Sequence, residues 1–198
     1  MLYKEQITQG IKESLASSKV FTTVKSFDQY TIITRAANTT AYAAGQLISG
    51  TSAINSAGAI TGYNGSTLIP IDLTPDGAVA GQRIQITQFS ILSDQNPSTS
   101  TLIPIVQLFN NELSGLTDGQ TFIPVFSLLS SYRQVLLQSE FSTTVNSGTN
   151  AYYVMSADYT RLANLDSNGK LYAGLIANGA YTPKSGEQIK LRIRGFLL

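Results

Sequence analysis

Residues 31–50 read TIITRAANTTAYAAGQLISG, and this stretch decides the fold class that we predict for the whole chain. It begins as an alternating strand, breaks at the polar run 38–40, and turns at Gly45 before an apolar pair at 47–48. Small Ala, Thr and Gly residues around a single tyrosine suit a tight turn between strands and not a helix. The stretch therefore predicts a strand–turn–strand unit.

The composition describes a folded chain with a small share of charge. Apolar residues make up 42% of the 198 positions, whereas charged residues make up 13%, about half the usual share. The length suits one domain, or one domain with an appendage. Polar, weakly charged sequences of this kind suit strands, loops and surfaces that meet other proteins. The net charge is only +1, and the chain lacks the cluster of cations that binds phosphates. We therefore expect no nucleic-acid partner.

Short apolar runs bounded by turn signals continue from residue 82 to residue 198. With residues 31–50 they predict roughly eight to ten strands, spaced as in a sandwich or barrel. Helical patterns do not alternate with them, which argues against a parallel sheet. We therefore predict a mainly β fold, an antiparallel β-sandwich of jelly-roll or Greek-key type over residues 31–198. A Gly/Ser-rich insertion at about 50–81 interrupts it, with a strand pattern only at 68–73.

One strand carries an expected irregularity. In QRIQITQFSIL, Ile84 and Ile86 alternate toward the core, and Phe89 and Ile91 also read as inward-facing but in the other register. A slip of this kind predicts a β-bulge between Ile86 and Phe89.

The strand near residue 198 is expected to be amphipathic. Lys190, Arg192 and Arg194 share one face by their two-residue spacing, and the intervening apolar residues share the other. We interpret the three cations as a solvated face and not as a binding patch.

The N-terminal segment predicts a short amphipathic helix. Its apolar side chains recur every four or five positions, a roughly helical spacing, at Leu2, Ile7, Ile11 and Leu15. The stripe is too thin for a helix that is stable alone, so it needs a surface to lie on. We interpret residues 1–30 as an arm that packs either on its own domain or on a neighbouring subunit.

The chain lacks the side chains on which most catalytic and metal sites depend. Histidine and cysteine are both absent, which removes Ser-His-Asp triads, thiolates and the commonest zinc ligands. The remaining route to catalysis is a pair of carboxylates. The candidates are Asp72, Asp76, Asp94, Glu112, Asp118, Glu140, Asp158 and Asp166. Most lie in turns, where aspartate accepts backbone hydrogen bonds, so we predict no enzyme activity, no cofactor and no metal.

Residues 166–169, Asp-Ser-Asn-Gly, resemble the start of a calcium-binding loop. The distal glutamate that completes an EF-hand site is missing. We therefore favour a hairpin turn between strands around 159–162 and 171–172.

Tyrosine is the commonest aromatic residue, and it clusters in the C-terminal third of the chain. A tyrosine offers both a ring face and a hydroxyl, which favours it at interfaces and in sugar-binding clefts. It is equally favoured in ordinary strands. Tyr152 and Tyr153 are therefore candidate interface residues, with strand packing as the alternative.

Residues 31–50 also resemble an opening, TITRPANTTAYAAGDVI, that recurs in virion structural proteins of tailed bacteriophages. The shared positions are Arg35, 37–42, 44–45 and 47–48. The chain has Ala36 where a proline is usual and Gln46 where an aspartate is usual. The related proteins are small β-rich modules of heads and fibres, so the resemblance implies a structural role in a phage particle.

Within that role we expect a capsid decoration protein, whose partners are the major capsid protein or other virion proteins. A homotrimer suits sites of local three-fold symmetry on a shell. The alternative is a head-fibre or tail-tip module that binds a host receptor or glycan. No run reaches the roughly 18 apolar residues of a membrane span, and residues 1–30 lack a signal-peptide pattern. We therefore expect assembly in the host cytoplasm, location in the virion and no membrane partner.

Overall fold

A computed structural model describes residues 24–95, 102, 104–122, 132–136, 142–146 and 152–198, and the side chains of residues 123–159 lie outside this description. The described chain is mainly β, with antiparallel sheets and a single 3₁₀ turn at Thr74–Asp76. The strands are β1 (Lys25–Thr34), β2 (Leu47–Ile48), β3 (Ser52–Asn55), β4 (Gly58–Ala59), β5 (Ile69–Asp72), β6 (Arg83–Ser93), β7 (Pro104–Phe109), β8 (Tyr132–Leu136), β9 (Ser142–Asn146), β10 (Tyr152–Asn164), β11 (Lys170–Ala177) and β12 (Gln188–Leu197). The predicted β class and antiparallel pairing are confirmed.

The strands form two sheets. The seven-stranded sheet has the order β4-β3-β1-β12-β6-β10-β9, and the five-stranded sheet has the order β2-β11-β7-β8 with β5 also paired to β11. β1 and β12 lie side by side over their whole length, from the pair Lys25–Leu197 to the pair Thr34–Gln188. Because β1 begins at Lys25, residues 25–30, which the sequence placed in the arm, lie in the sheet.

One large apolar cluster joins the two sheets, and a smaller one lies around Phe109 and Phe122. Ile33 and Phe89 of the seven-stranded sheet are buried in the same cluster as Ile71 and Val106 of the five-stranded sheet. Burying a side chain of this size contributes about 1.5–3 kcal/mol relative to leaving it in water. One polar contact crosses the core, where the Thr31 hydroxyl donates to the carbonyl of Pro70 at 2.6 Å.

Residues 31–50 do not form a strand–turn–strand unit within one sheet. β1 belongs to the seven-stranded sheet, whereas β2 pairs with β11 in the other, through Ile48–Leu175 and Leu47–Ile176. The backbone of the segment 35–46 between them bonds to the loop before β12, to Phe122 and to Ala177, the last residue of β11. The stretch therefore carries the chain from one sheet to the other.

The predicted β-bulge in β6 is confirmed. The register with β12 passes from Gln88–Arg194 directly to Ile86–Gly195, which leaves Thr87 as an extra residue in β6. The pairing of β6 with β10 shifts at the same place. Through this shift, the inward-facing residues on both sides of the bulge stay fully buried: Ile84, Ile86, Phe89 and Ile91.

The predicted amphipathic character of β12 is also confirmed. Ile189, Leu191 and Ile193 are buried, while Lys190, Arg192 and Arg194 are only half-buried on the outer face. Arg192 donates two hydrogen bonds to Asp28. These bonds and the charges of Arg192 and Arg194 outweigh the opposing effect of burial, so the pKa of the Asp28 carboxyl lies below its usual range. Lys190 lies 4.0 Å from the centre of the Tyr30 ring. The cations are thus satisfied by neighbours on β1.

The predicted hairpin at residues 166–169 is wrong, although the turn itself is present. β10 and β11 on its two sides belong to different sheets, so the turn carries the chain across the core. Asp166 holds this turn, because its carboxylate accepts from the backbone amides of Asn168 and Lys170 and from the Tyr172 hydroxyl. Burial opposes ionisation of Asp166, but these bonds outweigh it and lower its pKa.

The segment at 50–81 has more structure than its composition indicates. β3 extends the seven-stranded sheet by pairing with β1, and β4 pairs with β3. Glycine is required where this segment folds back on itself, since a Cβ on Gly65 would lie 2.3 Å from the carbonyl oxygen of Gly50. Sequence reasoning recognised only β5 here, because β3 and β4 are short and rich in Ser, Ala and Gly.

We expect Gly195→Ala to destabilise the fold through its place beside the β6 bulge. An added Cβ would lie 1.9 Å from the Gln85 carbonyl oxygen and 2.8 Å from the Phe27 ring, so the strands must separate. The expected loss is about 3 kcal/mol of unfolding free energy, measured by urea denaturation. Gly179→Ala is the matched control, because its Cβ would meet nothing within 4 Å. Equal stability of the two variants would contradict the tight approach at Gly195.

Candidate functional site: a buried polar cluster and the pocket beside it

The loop that follows β1 is fastened to the loop that precedes β12. Tyr42 and Tyr181 exchange two backbone hydrogen bonds, at 2.8 and 3.1 Å, and their rings stack with centres 6.1 Å apart. The amide of Gly45 donates to the carbonyl of Ala177 at 2.7 Å, with Gly45 at a φ of 83° that favours glycine. The residues shared with the phage modules therefore form internal contacts at one end of the molecule.

Arg35 occupies the centre of this end. Its side chain is 1% exposed, and its Nη2 donates to Asp118 Oδ2 at 3.1 Å. The guanidinium carbon lies 4.7 Å from the centre of the Tyr42 ring, a cation–π distance. Within the described chain, Nε and Nη1 have no hydrogen-bond partner. The buried cation therefore depends on one carboxylate and one ring face.

Asp118 ties the 113–121 loop to this arginine. Its Oδ1 accepts from the Tyr42 hydroxyl at 2.6 Å and from the Ser49 amide at 2.8 Å. The next residue, Gly119, donates its amide to the carbonyl of Leu47 at 2.9 Å. One side chain thus fixes three segments of chain, yet about a third of it (34%) stays exposed to solvent.

Glu187 forms the inner part of the cluster. It is fully buried, and its carboxylate accepts from the Ser93 hydroxyl at 2.5 Å and from the Tyr181 hydroxyl. Burial raises the pKa of Glu187, while the two hydroxyls and the charge of Arg35 act in the opposite direction. Burial likewise raises the pKa of Tyr42, with its bond to Asp118 adding to the effect. The Tyr42 hydroxyl therefore remains a protonated donor at neutral pH.

The polar cluster, defined as Arg35, Tyr42, Asp118, Tyr181 and Glu187, has the chemistry of a structural clamp. Breaking a buried ion pair by removing one partner costs far more than an exposed pair contributes, because it leaves a charge without compensation. Apart from Nε and Nη1 of Arg35, the donors and acceptors of the cluster pair with one another or with neighbouring groups, and none of them is an activated nucleophile. Across the described residues, no group of three metal-ligating side chains is placed to share an ion.

A small polar pocket opens beside the cluster, on the outer side of Asp118. Its volume is about 200 Å³. The residues that line it come from the chain after β1, the 64–66 turn and the 116–118 segment: Ala36, Ser49, Gly50, Thr51, Asn64, Gly65, Ser66, Leu116, Thr117 and Asp118. Hydroxyls, an amide, a carboxylate and the backbone of two glycines thus line the pocket together with two apolar side chains, Ala36 and Leu116.

The opposite end of β1 and β12 exposes apolar side chains. We call Val24, Leu162, Phe196 and Leu198 the apolar end. Their exposed fractions are 54%, 47%, 38% and 46%. Phe196 and Leu162 both pair with Gln85, from its two sides, so they lie in one row across the sheet. Val24 and Leu198 follow directly on the terminal pair of β1 and β12.

The site residues predicted from the sequence are not tested by these contacts. Leu2, Ile7, Ile11 and Leu15, with the expected N-terminal helix, lie outside the described residues. Tyr152 and Tyr153 lie in β10, where they pair with Asn146 and Val145, but their side chains are outside the description. They therefore remain predictions.

Sequence reasoning missed the polar cluster as a unit. Arg35 and Tyr42 were noted only as positions that carry the resemblance of residues 31–50. Asp118 was assigned to a turn, and Glu187 was not considered. A signal was available, since Arg35 follows an apolar strand and needs a carboxylate when buried. The sequence does not say which of the twelve acidic residues supplies it.

Comparison with protein-family models and with curated proteins finds no match for the chain. Where the chain is described, it contains no helix with the length and apolarity of a membrane span.

We expect Arg35→Met to destabilise the protein strongly. The substitution keeps much of the aliphatic stem but removes the cation, which leaves Asp118 and the buried Glu187 without their positive neighbour. Because Asp118 keeps some solvent, the loss should lie near the lower end of the usual range, about 3 kcal/mol by urea denaturation. Lys184→Met removes an exposed pair with Asp94 and should cost about 0–1 kcal/mol. Similar losses in both variants would refute the clamp.

We expect the contribution of Glu187 to stability to decrease as the pH rises. Its pKa is raised in the folded state, so its stabilising effect is complete below its ordinary value of 4.5 and is lost as the pH passes the folded pKa. Relative to the wild type, Glu187→Gln should therefore gain stability between about pH 4 and pH 7. The measurement is urea denaturation of both proteins across that range.

Glu112→Gln, which removes an exposed carboxylate shortly after β7, serves as the comparison for this measurement. A difference between wild type and Glu187→Gln that stays constant with pH would contradict the raised pKa.

Proposed function

We propose that the protein is a structural component of a bacteriophage particle and, within that class, a capsid decoration protein. The proposed architecture is a jelly-roll or Greek-key sandwich. The two antiparallel sheets around one core support it. The 31–50 stretch supports the phage assignment, because the residues it shares with virion modules form the clamp around Arg35 and Asp118. Such a clamp suits a rigid module whose work is binding.

The observation that carries the decoration role is the apolar end. Apolar side chains grouped on a surface mark sites of protein contact more often than they mark free surface. Val24, Phe196 and Leu198 lie where the chain enters β1 and leaves β12. We propose that this end seats on the shell, with the major capsid protein as the partner. Residues 1–23 precede Val24, so an arm from this end can reach a neighbouring subunit.

The charges of the seven-stranded sheet support a protein partner. Asp28 lies within 2.5 Å of Arg192 and 3.2 Å of Arg194, so the basic face of β12 is partly neutralised by β1. A surface of this kind has no strong field that would favour a polyanion. In the proposed particle the subunit is a homotrimer at sites of local three-fold symmetry, where closed cyclic contacts form without open chains.

We expect a Leu162→Ser, Phe196→Ser double variant to bind capsids at least tenfold more weakly than the wild type. Loss of two apolar contacts at an interface removes more than the roughly 1.4 kcal/mol that a tenfold change requires. Capsids assembled without the protein are mixed with purified subunits, and the bound fraction is measured by co-sedimentation. Because both side chains are exposed, the fold should keep its stability to within about 0.5 kcal/mol.

Ile54→Ser is the matched control for this experiment, since Ile54 is an exposed apolar residue (46%) on β3, outside the apolar end. It should bind like the wild type. The decoration role would be refuted by capsids that resist heat equally with and without the protein, with the protein found on the tail or free in the lysate.

A host-recognition module on a fibre or tail tip is the second candidate function. The observation that favours it is the polar pocket, which lies at the end of β1 away from the apolar end. Binding of the purified protein to host cells at micromolar concentration would support this candidate, and its absence would count against it.

A further inference from the structure

We propose that the polar pocket binds a single neutral sugar ring. This inference concerns a ligand site beyond the proposed attachment to a shell. A pocket of about 200 Å³ is smaller than the roughly 300–1,000 Å³ that holds a drug-sized ligand, and it suits one ring with several hydroxyls. The occupant is a hydroxyl-rich, uncharged molecule presented by a host surface.

The lining offers unused hydrogen-bonding capacity of both kinds. Asp118 Oδ2 accepts one bond, from Arg35, although a carboxylate oxygen has two lone pairs. Asn64 uses its Oδ1 for the amide and hydroxyl of Ser66, and within the described chain its Nδ2 donates to no protein group. Acceptors and donors that line one pocket match a sugar hydroxyl, which both donates and accepts.

The charges around the pocket disfavour ions of either sign. The carboxylate of Asp118 is already paired with the buried guanidinium of Arg35, so a metal cation would compete with a fixed positive charge. No lysine or arginine lines the pocket, so an anion would find no cation within reach. A neutral polar ligand satisfies the free donors and acceptors without adding charge.

The walls are fixed before any ligand arrives. Asp118 is held by Arg35, Tyr42 and the Ser49 amide. The Gly50 amide donates to the buried Tyr63 hydroxyl at 3.3 Å, and Gly65 packs so closely on Gly50 that no side chain fits there. A ligand therefore orders few protein groups on binding, which reduces the entropic cost of association.

The affinity of one such site should be weak. Leu116 and Ala36 supply a small apolar area, and no aromatic ring lines the pocket to stack on a sugar. We expect a Kd of about 1 mM for a monosaccharide. Many copies on one particle would raise the effective affinity without new contacts, which is how weak sites hold a multivalent surface.

The experiment is a ¹H–¹⁵N NMR titration of the full chain with glucose, galactose, mannose, rhamnose and N-acetylglucosamine, each to about 100 mM, well above the expected Kd. At least one sugar should give saturable shifts of the Gly50, Thr51, Gly65 and Ser66 amides. Calcium chloride and sodium phosphate are titrated in the same way as ionic probes. The proposal would be overturned if either ion gave saturable shifts of these amides, or if no sugar did.

The decisive variant is Asn64→Ala, with Asn55→Ala as its control. Both asparagines use Oδ1 to accept from the backbone amide two residues on, at Ser66 and Ala57, so both variants lose that bond, and Asn64→Ala also loses the bond from the Ser66 hydroxyl. Only Asn64 lines the pocket. We expect Asn64→Ala to weaken sugar binding at least fivefold and Asn55→Ala to leave it unchanged. Ser66→Ala provides a second test, and equal binding by Asn64→Ala and the wild type would refute the site.

These outcomes are independent of attachment to a shell. The pocket and the apolar end are separated by the ten residues of β1, about 30 Å of extended strand. Sugar binding by a protein that fails to bind capsids would refute only the decoration role, and the reverse result would refute only the sugar site.

Discussion

The contact between Arg35 and Asp118 is the constraint on which one end of the molecule depends. A guanidinium can be buried only with a carboxylate in reach, and the sequence places that carboxylate 83 residues away. To bring the two together, the loop after β1, the 113–121 loop and the loop before β12 must all converge. Tyr42, Tyr181 and Glu187 fill the space around the pair and leave few alternative arrangements of these loops. The order of this end is thus set by electrostatics more than by apolar packing.

The same arrangement gives the molecule two unlike ends. At one, polar groups satisfy each other internally, and the exposed part of Asp118 borders a small pocket. At the other, Val24, Phe196 and Leu198 expose apolar side chains. β1 and β12 connect the two ends as one continuous antiparallel pair, so a load applied at one end passes along hydrogen-bonded strands to the other. Attachment at one end and recognition at the other are compatible in such a subunit.

Local patterns in the sequence predicted those features that depend on neighbouring residues. Alternation along β12 and the slip between Ile86 and Phe89 both follow from the two-residue period of a strand, and both are present. The partner of each strand was beyond reach, because pairing depends on distant residues. The turn at Asp166 shows the limit: its capping chemistry was readable, but whether it closes a hairpin or crosses between sheets depends on β5 and β7. Asp118 could not be predicted as the partner of Arg35 either, because the two residues are distant in sequence.

The pairing of β1 with β12 also bears on how the chain reaches its native state. These strands are the first and last described, and their residues are separated by more than 150 positions in sequence. A ribosome must therefore synthesise the chain as far as residues 188–197 before this pair of the large sheet can form. Contacts of such long range slow folding to about milliseconds or seconds and leave strand edges open meanwhile. The edges of β6 and β1 await β12, so nascent chains should be sensitive to crowding and to chaperones during synthesis.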